Sequence, residues 1–337
     1  MNLVLGSGPS SVFCALALLK KGEQVTMMDP GTTLETERAE AVSAASSQSK
    51  SEWSDSFLEM IRDKTDPNVK GLPKKLVYGS DYPFRSSDKD LKITFNRCES
   101  AMSHALGGLS NVWGANVLPL LRSETATWPV SVERLWPFYE EVCKHLPISS
   151  REDDLTELFG DCFSNVGKLP ISQQASALLA SLEAHRDSLK TSGIYFGTSR
   201  LAVKAGDCEV CGLCLYGCPR RLIYSSADSL NLLRSFPGFK YLPGVLAERV
   251  EEADSEVRVL VKDIHDGSRH WMSAGKAYVG CGPIGSTALM LASMGKPAEE
   301  VVLKDSQSFL APFALFRGPS GVTSEPLHTL AQAIVEV

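Results

Sequence analysis

A short apolar strand, a glycine turn and an apolar helix open this chain. Leu3, Val4 and Leu5 lead into Gly6, Ser7, Gly8 and Pro9, and then into SSVFCALALLKKG. Val12, Phe13, Leu16 and Leu19 fall close to helical spacing, and Lys20, Lys21 and Gly22 supply a C-terminal stop. A second strand, QVTMMDPG, follows at once, so the segment reads as a βαβ unit. Gly6 and Gly8 let the backbone turn tightly and approach a diphosphate, whose charge would sit against free N–H groups at the helix N-terminus. Ser10 and Ser11 complete the junction. Ser11 stands where the fingerprint has its third glycine, and it is small enough to keep helix and strand in close contact. Asp29, at the end of the second strand, lies where a carboxylate accepts hydrogen bonds from an adenosine ribose. The pattern points to a dinucleotide, the alternative being a βαβ unit with a purely structural glycine turn. Its N-terminal position favours FAD over NAD by analogy.

The 337 residues suffice for one large α/β domain with insertions or for two domains. With 43% hydrophobic residues and no run of about eighteen apolar ones, the chain is expected to be soluble. A formal net charge of -6 argues against a general affinity for nucleic acid or anionic lipid. The strand beginning at residue 2 leaves no room for a signal peptide, so a cytoplasmic location is expected. In that reducing compartment, nine cysteines are expected to be free, metal-bound or catalytic rather than paired.

Residues 35–56 are rich in Ser, Ala and charge, and read as a loop or loosely packed helix. Residues 71–84 carry turn residues around a short apolar run. A second glycine segment, SHALGGLSNVWGANVLPL, spans residues 103–120. Gly107 and Gly108 would let backbone approach a flat ring system, and Ser110 and Asn111 would hydrogen-bond its polar edge. The bland reading is a structural turn beside a core tryptophan.

Taken in order, GSGPSS with Asp29, GGLSNVWGANVLP, TWPVSVERLWPFYEEV (127–142) and residues 244–295 resemble the glucose-methanol-choline (GMC) oxidoreductases. The resemblance covers about half of the chain. It implies an α/β, Rossmann-like FAD-binding domain, discontinuous over 1–35, 91–122 and 240–297. Insertions and links occupy 36–90 and 123–200, a cysteine segment occupies 201–226, and an incomplete β-rich substrate domain starts at 298–337. By the same resemblance Gly6, Gly8 and Asp29 hold the ADP part of FAD, Val250 lies near the adenine, Gly282 approaches the diphosphate, and Gly108, Ser110 and Asn111 flank the isoalloxazine. Some relatives link flavin to a histidine near the position of Asn111 or Val112. None stands here, which implies non-covalent FAD.

CEVCGLCLYGCP, residues 208–219, places Cys208, Cys211, Cys214 and Cys218 in the C-x2-C-x2-C-x3-C-P spacing of bacterial ferredoxins. Zinc sites with four cysteines usually hold two C-x2-C pairs across a longer loop, so the compact run suits a [4Fe-4S] cluster better than zinc. Structural or redox-active thiols are the third reading. Gly212 and Gly217 free the backbone to curl, Pro219 holds Cys218 extended, and Arg220 and Arg221 either offset cluster charge or are solvated. In two-cluster ferredoxins the last cysteine serves the other cluster. The fourth ligand is therefore either Cys218 or a distant thiol among Cys14, Cys98, Cys143, Cys162 and Cys281. Cys14 and Cys281 read as small core residues.

The resemblance implies a catalytic histidine in a C-terminal segment beyond SEPLHTLAQAIVEV, with VVLKDSQSFLAPFALFRG (301–318) as the first strand-rich part of the second domain. The catalytic residues are therefore not assigned. His104 and His328 read as structural, and His145, His185, His265 and His270 as surface residues. The expectation is an FAD-dependent dehydrogenase acting on a CH-OH group of a sugar or other alcohol, passing electrons through a [4Fe-4S] cluster to an acceptor protein or quinone. The alternative is a non-catalytic or partner-dependent flavin/iron-sulfur electron-transfer component.

Overall fold

The computed structural model describes residues 1–63, 75–85, 91, 93–98, 100–160, 167–304, 311–313 and 318–337. Cys162, and parts of the 71–84 and 301–318 segments, lie outside the described residues. The chain forms two compact units: Met1–Ala41, Met60–Val112 and Ser225–Asp305 make the first, and Val42–Glu59, Trp113–Tyr224 and Ser306–Val337 the second.

The first unit is α/β. Its leading strand β1 (Asn2–Leu5) runs through the glycine turn into helix α1 (Pro9–Lys20) and on to strand β2 (Val25–Asp29). Proline suits the first turn of α1 because the N–H it lacks would have no partner there. At the other end the N–H groups of Lys21, Gly22 and Glu23 return to Leu18 and Leu19 carbonyls, and Gly22, at φ +77°, ends the helix. Much later in the chain come α2 (Ser226–Arg234), β3 (Phe239–Pro243), β4 (Val245–Ala253), β5 (Glu256–Asp263), β6 (Arg269–Ala274), β7 (Lys276–Val279) and α3 (Gly282–Ser293).

Four of these strands make a parallel sheet in the order β7-β1-β2-β3. β1 is buried along its whole length, and its alternation splits two cores. Val4 joins Val25 and Met27 of β2, Val12, Leu16 and Leu19 of α1, and Leu230 and Leu233 of α2. Leu3 and Leu5 face the other way, with Met28, onto Val245, Val259 and Val261 of the antiparallel sheet β4-β5-β6 and Leu289 of α3. Each such fully buried side chain contributes roughly 1.5–3 kcal/mol of transfer free energy as an upper figure. Both faces of the parallel sheet are thus covered.

Residues 35–56 are more regular than their composition suggests. Helix Thr36–Ser46 buries only Val42 and Ala45, Ser49 and Glu52 form a capping box on the next turn, and the Trp53 indole N–H donates to the Ala45 carbonyl at 3.0 Å. A tryptophan outside the helix supplies the packing that the helix's own sequence lacks.

In the second unit, strand Tyr195–Thr198 pairs antiparallel with Ala333–Glu336, and Ile148–Ser149 with Leu201–Ala202. Most of 301–318 lies outside the described residues, and among the described residues beyond it Ala333–Glu336 forms a strand. A buried ion pair anchors this unit. Arg200, 1% exposed, makes two contacts to Asp153, at 2.7 and 2.9 Å, and the Thr198 N–H donates to the same carboxylate at 2.8 Å. Among the described residues no helix is long and apolar enough to cross a membrane.

Candidate functional site

The glycine turn is held by hydrogen bonds from three distant parts of the first unit. The Gly6 N–H donates to Met28 at the end of β2, and Gly280, after β7, donates to Leu5 at 2.9 Å. Gly6 sits at φ +102°, and a β-carbon there would lie 2.5 Å from the Gly280 carbonyl oxygen, so both conformation and space demand glycine. Ser11 is accommodated in place of a third glycine because Gly280 faces it. The Ser11 hydroxyl donates to the Gly280 carbonyl at 3.1 Å, and a side chain at 280 would strike it.

Gly8 differs in kind. It is extended, at φ -65°, and a β-carbon would meet no protein atom within 4 Å. Gly282, at the start of α3, also faces open space. A β-carbon on Gly108 would lie 3.7 Å from the Gly8 Cα, which brings the second glycine segment onto the first turn. Gly8 and Gly108 thus leave a gap at the N-terminus of α1, where free N–H groups and the helix dipole favour an anion. Ser10 is exposed at this helix start.

Beneath the turn lies a polar hub. The Gly107 N–H donates to the Ser7 hydroxyl at 2.8 Å, Ser7 donates to Asp29, and the Tyr241 hydroxyl donates to the other Asp29 oxygen at 2.6 Å. Asp29 is 7% exposed, and burial pushes its carboxyl up to about 6 against the opposing pull of the two hydroxyls. Each of its oxygens already has one partner, and the remaining lone pairs are what it has left for a ribose.

Ser110 and Asn111 are likewise engaged by the protein. The Ser110 hydroxyl donates to the Gly107 carbonyl at 2.6 Å and accepts the Ser226 N–H at 3.0 Å. The Asn111 amide donates to Leu106 and Gly108 carbonyls, and its oxygen accepts from Ser225 at 3.0 Å. What these side chains do here is fix the shape of the Gly107–Gly108 turn. Val250 lies in β4, packed against the Leu3 and Leu5 face, and its N–H donates to Ser293 of α3 at 2.8 Å. Ser7, Ser225, Ser226 and Tyr241 were not singled out from the sequence. The pair Ser225–Ser226 ahead of Asp228 carried a helix N-cap signature, and the Ser225 hydroxyl does accept the Ala227 N–H.

The cysteine run lies in the second unit. Cys214 is buried, and Cys208, Cys211 and Cys218 are partly so. Cys214 interacts electrostatically with each of the other three, so the four thiols share one neighbourhood. Backbone N–H groups of Val210 and Leu213 face the sulfurs of Cys208 and Cys211, and those of Arg220 and Leu222 face Cys218, the last at 3.5 Å. This curl requires Val210 at φ 46° and Arg221 at φ 53°, positions that non-glycine residues rarely take. Arg220 pairs with Glu209 at 2.6 Å rather than with a thiol. Burial raises the Cys208 and Cys211 thiols, and pushes Cys218 up to about 11. Among the described residues no three His, Cys, Asp or Glu side chains converge on a single metal ion.

Of the other thiols, Cys14 packs against the α1 core and Cys143 is buried, as small apolar residues do. Cys281, expected in the core, is exposed, because it caps α3 at the open end of the sheet. His104 and His328 are buried, at 5% and 2% exposure.

No protein-family model and no curated protein matches the chain. Among solved structures it is similar to pyridoxine 4-oxidase from Mesorbium loti, at 17% identity and a TM-score of 0.46, over 87% of this chain and 51% of that one. It is also similar to a variant of NikD, an unusual amino acid oxidase essential for nikkomycin biosynthesis, at 11% identity and 0.33, over 87% and 52%. The p-nitrophenol 4-monooxygenase PnpA from Pseudomonas putida DLL-E4 matches at 10% identity and 0.27, over 82% and 39%. The chain spans about half the length of the first two.

Proposed function

We propose that this chain is an FAD-binding oxidoreductase of GMC type, a dehydrogenase acting on a CH-OH group of a sugar or other alcohol, with a [4Fe-4S] cluster held by Cys208, Cys211, Cys214 and Cys218. The observation that carries the flavin half is the gap at Gly8, with Gly108 beside it. Gly8 and Gly282 have side-chain space that the protein leaves empty, next to a helix N-terminus suited to a diphosphate. Asp29 is the carboxylate at the end of β2 that would take the ribose, steadied by Ser7 and Tyr241. FAD, when bound, supplies hydride acceptance from an alcohol carbon, and the protein supplies position and electrostatics.

The thiol chemistry supports the cluster half. A redox-active thiol pair needs a lowered pKa, and burial raises Cys208, Cys211 and Cys218, which disfavours that reading. Zinc would draw four sulfurs to about 2.3 Å from one point. A cubane takes one thiolate on each of four irons, which the C-x2-C-x2-C-x3-C-P spacing suits, and backbone N–H groups aimed at sulfur are a recognised lever on cluster potential. Cys218 belongs to that neighbourhood, which supports it over a distant thiol as the fourth ligand.

Anaerobic purification, a visible spectrum, and iron, zinc and sulfide analysis test the cofactors. Flavin bands together with iron and acid-labile sulfide are expected, and zinc without iron would reject the cluster. Reduction of an artificial electron acceptor in the presence of candidate alcohols tests the reaction. Bound flavin without turnover would favour the partner-dependent electron-transfer component instead.

A further inference from the structure

The two oxygens of Asp29 are held by hydroxyls from different elements. Ser7, in the glycine turn, donates to Oδ2, and Tyr241, in the edge strand β3, donates to Oδ1 at 2.6 Å. Tyr241 pairs with Met27 in the parallel ladder, and Asp29 is the next residue of β2 on the same face, so the tyrosine ring reaches along the sheet to the carboxyl.

The surroundings are shaped to this bond. Gly31, at φ +67°, passes so close that a β-carbon there would lie 2.8 Å from the Tyr241 hydroxyl and 3.3 Å from Asp29 Oδ1. The Arg234 guanidinium, at the end of α2, lies 6.0 Å from the centre of the Tyr241 ring. Cys281, at the start of α3, also stands near Asp29; desolvation of its sulfur, with the Asp29 charge beside it, pushes the thiol up to about 11. His104 meets the loop after β2 through its carbonyl, which accepts the Thr32 N–H at 2.9 Å. Burial and the Asp29 charge raise the Tyr241 phenol as well, so it stays a neutral donor through the physiological range.

Pinning both oxygens has a chemical consequence. Each carboxylate oxygen has about two lone pairs, and with one on each taken by the protein, one on each remains. That is a receptor for two neighbouring hydroxyls, one per oxygen, as a ribose 2′,3′-diol presents them. A protonated carboxyl spends one oxygen on its own O–H and accepts one hydroxyl fewer. Burial favours that protonated form, and the Ser7 and Tyr241 hydroxyls oppose it.

We propose that Tyr241 is a positioning residue for the adenosine ribose: its hydroxyl fixes the Asp29 carboxylate so that the site distinguishes a vicinal diol from a lone hydroxyl. The inference rests on the reading of the glycine turn as an FAD site.

The test is isothermal titration of the full chain, prepared without flavin, with ADP and 2′-deoxy-ADP, and with FAD as the reference ligand. At pH 7 the parent is expected to bind ADP about tenfold more tightly than 2′-deoxy-ADP. Tyr241→Phe keeps the ring, and it should cut that preference to about twofold with the circular dichroism spectrum unchanged. The preference should rise again by pH 8.5, where Asp29 regains its charge. Gly31→Ala, whose β-carbon would press on the same hydroxyl, should reduce the preference in the same direction, and Asp29→Asn should remove it at both pH values. An undiminished preference in Tyr241→Phe would overturn the proposal. So would equal weakening of both nucleotides at both pH values, which would show that the tyrosine only supports the fold. A parent that binds FAD without preferring ADP over its deoxy form would overturn it while leaving the flavin reading intact. A parent that binds none of the three ligands would fail the flavin reading, and this inference with it.

Discussion

Asp29 is a buried carboxyl with two hydroxyl donors, and its ionisation is costly because burial outweighs those hydrogen bonds. Its displacement from 3.8 to about 6 has a definite sign for stability. A folded pKa above the unfolded one means that the folded state holds the proton more tightly. The stabilisation is therefore fully present below pH 3.8 and is lost as pH rises through about 6, a difference of roughly 3 kcal/mol. Asp29→Asn removes the titration. Urea midpoints of the flavin-free protein should therefore fall less between pH 4.5 and 7.5 in the variant than in the parent, and identical pH slopes would show that Asp29 is not the group responsible. The Asp153–Arg200 pair gives the opposite case. Asp153→Ala leaves a guanidinium buried without its counter-charge, so a loss of about 3–5 kcal/mol in denaturant unfolding is expected. A loss below about 1 kcal/mol would mean that the cavity rehydrates and solvates the cation.

The turn between β1 and α1 separates two jobs that glycine does. Gly6 serves the fold, since its β-carbon would clash with Gly280 and its φ is +102°. Gly6→Ala should therefore destabilise the flavin-free protein by roughly 2 kcal/mol or more. Gly8 has no such reason within the protein, so Gly8→Ala should leave the flavin-free melting temperature nearly unchanged while weakening FAD by roughly tenfold or more. Equal flavin affinity in Gly8→Ala would mean that the gap is not the diphosphate site. The βαβ unit was legible in the sequence because strand, turn, helix and strand are contiguous and local spacing fixes them. The polar hub was not. Ser110 reaches Ser226 across 116 positions and Tyr241 reaches Asp29 across 212, and no local pattern in Gly107–Asn111 tells a side chain facing a ligand from one spent on its own backbone. Helix Thr36–Ser46 was hard to read for a related reason, because the residue that covers it, Trp53, lies beyond its end.

At the scale of the molecule, the gap at the glycine turn belongs to one compact unit and the four cysteines to the other. Different residues are assigned to the two candidate cofactors, so their occupancies should separate in single variants. Cys218→Ser should sharply lower iron and sulfide content, because a serine hydroxyl ligates iron poorly. The same variant should retain its flavin bands at the parent's ratio to protein. Gly8→Ala should do the reverse, keeping iron and losing flavin. Absorption spectra paired with iron analysis on both variants decide the matter. If either substitution removes both chromophores from protein that remains folded, the two cofactors are coupled through something other than the residues assigned to them. If Cys218→Ser keeps its full complement of iron, the fourth ligand lies outside the run.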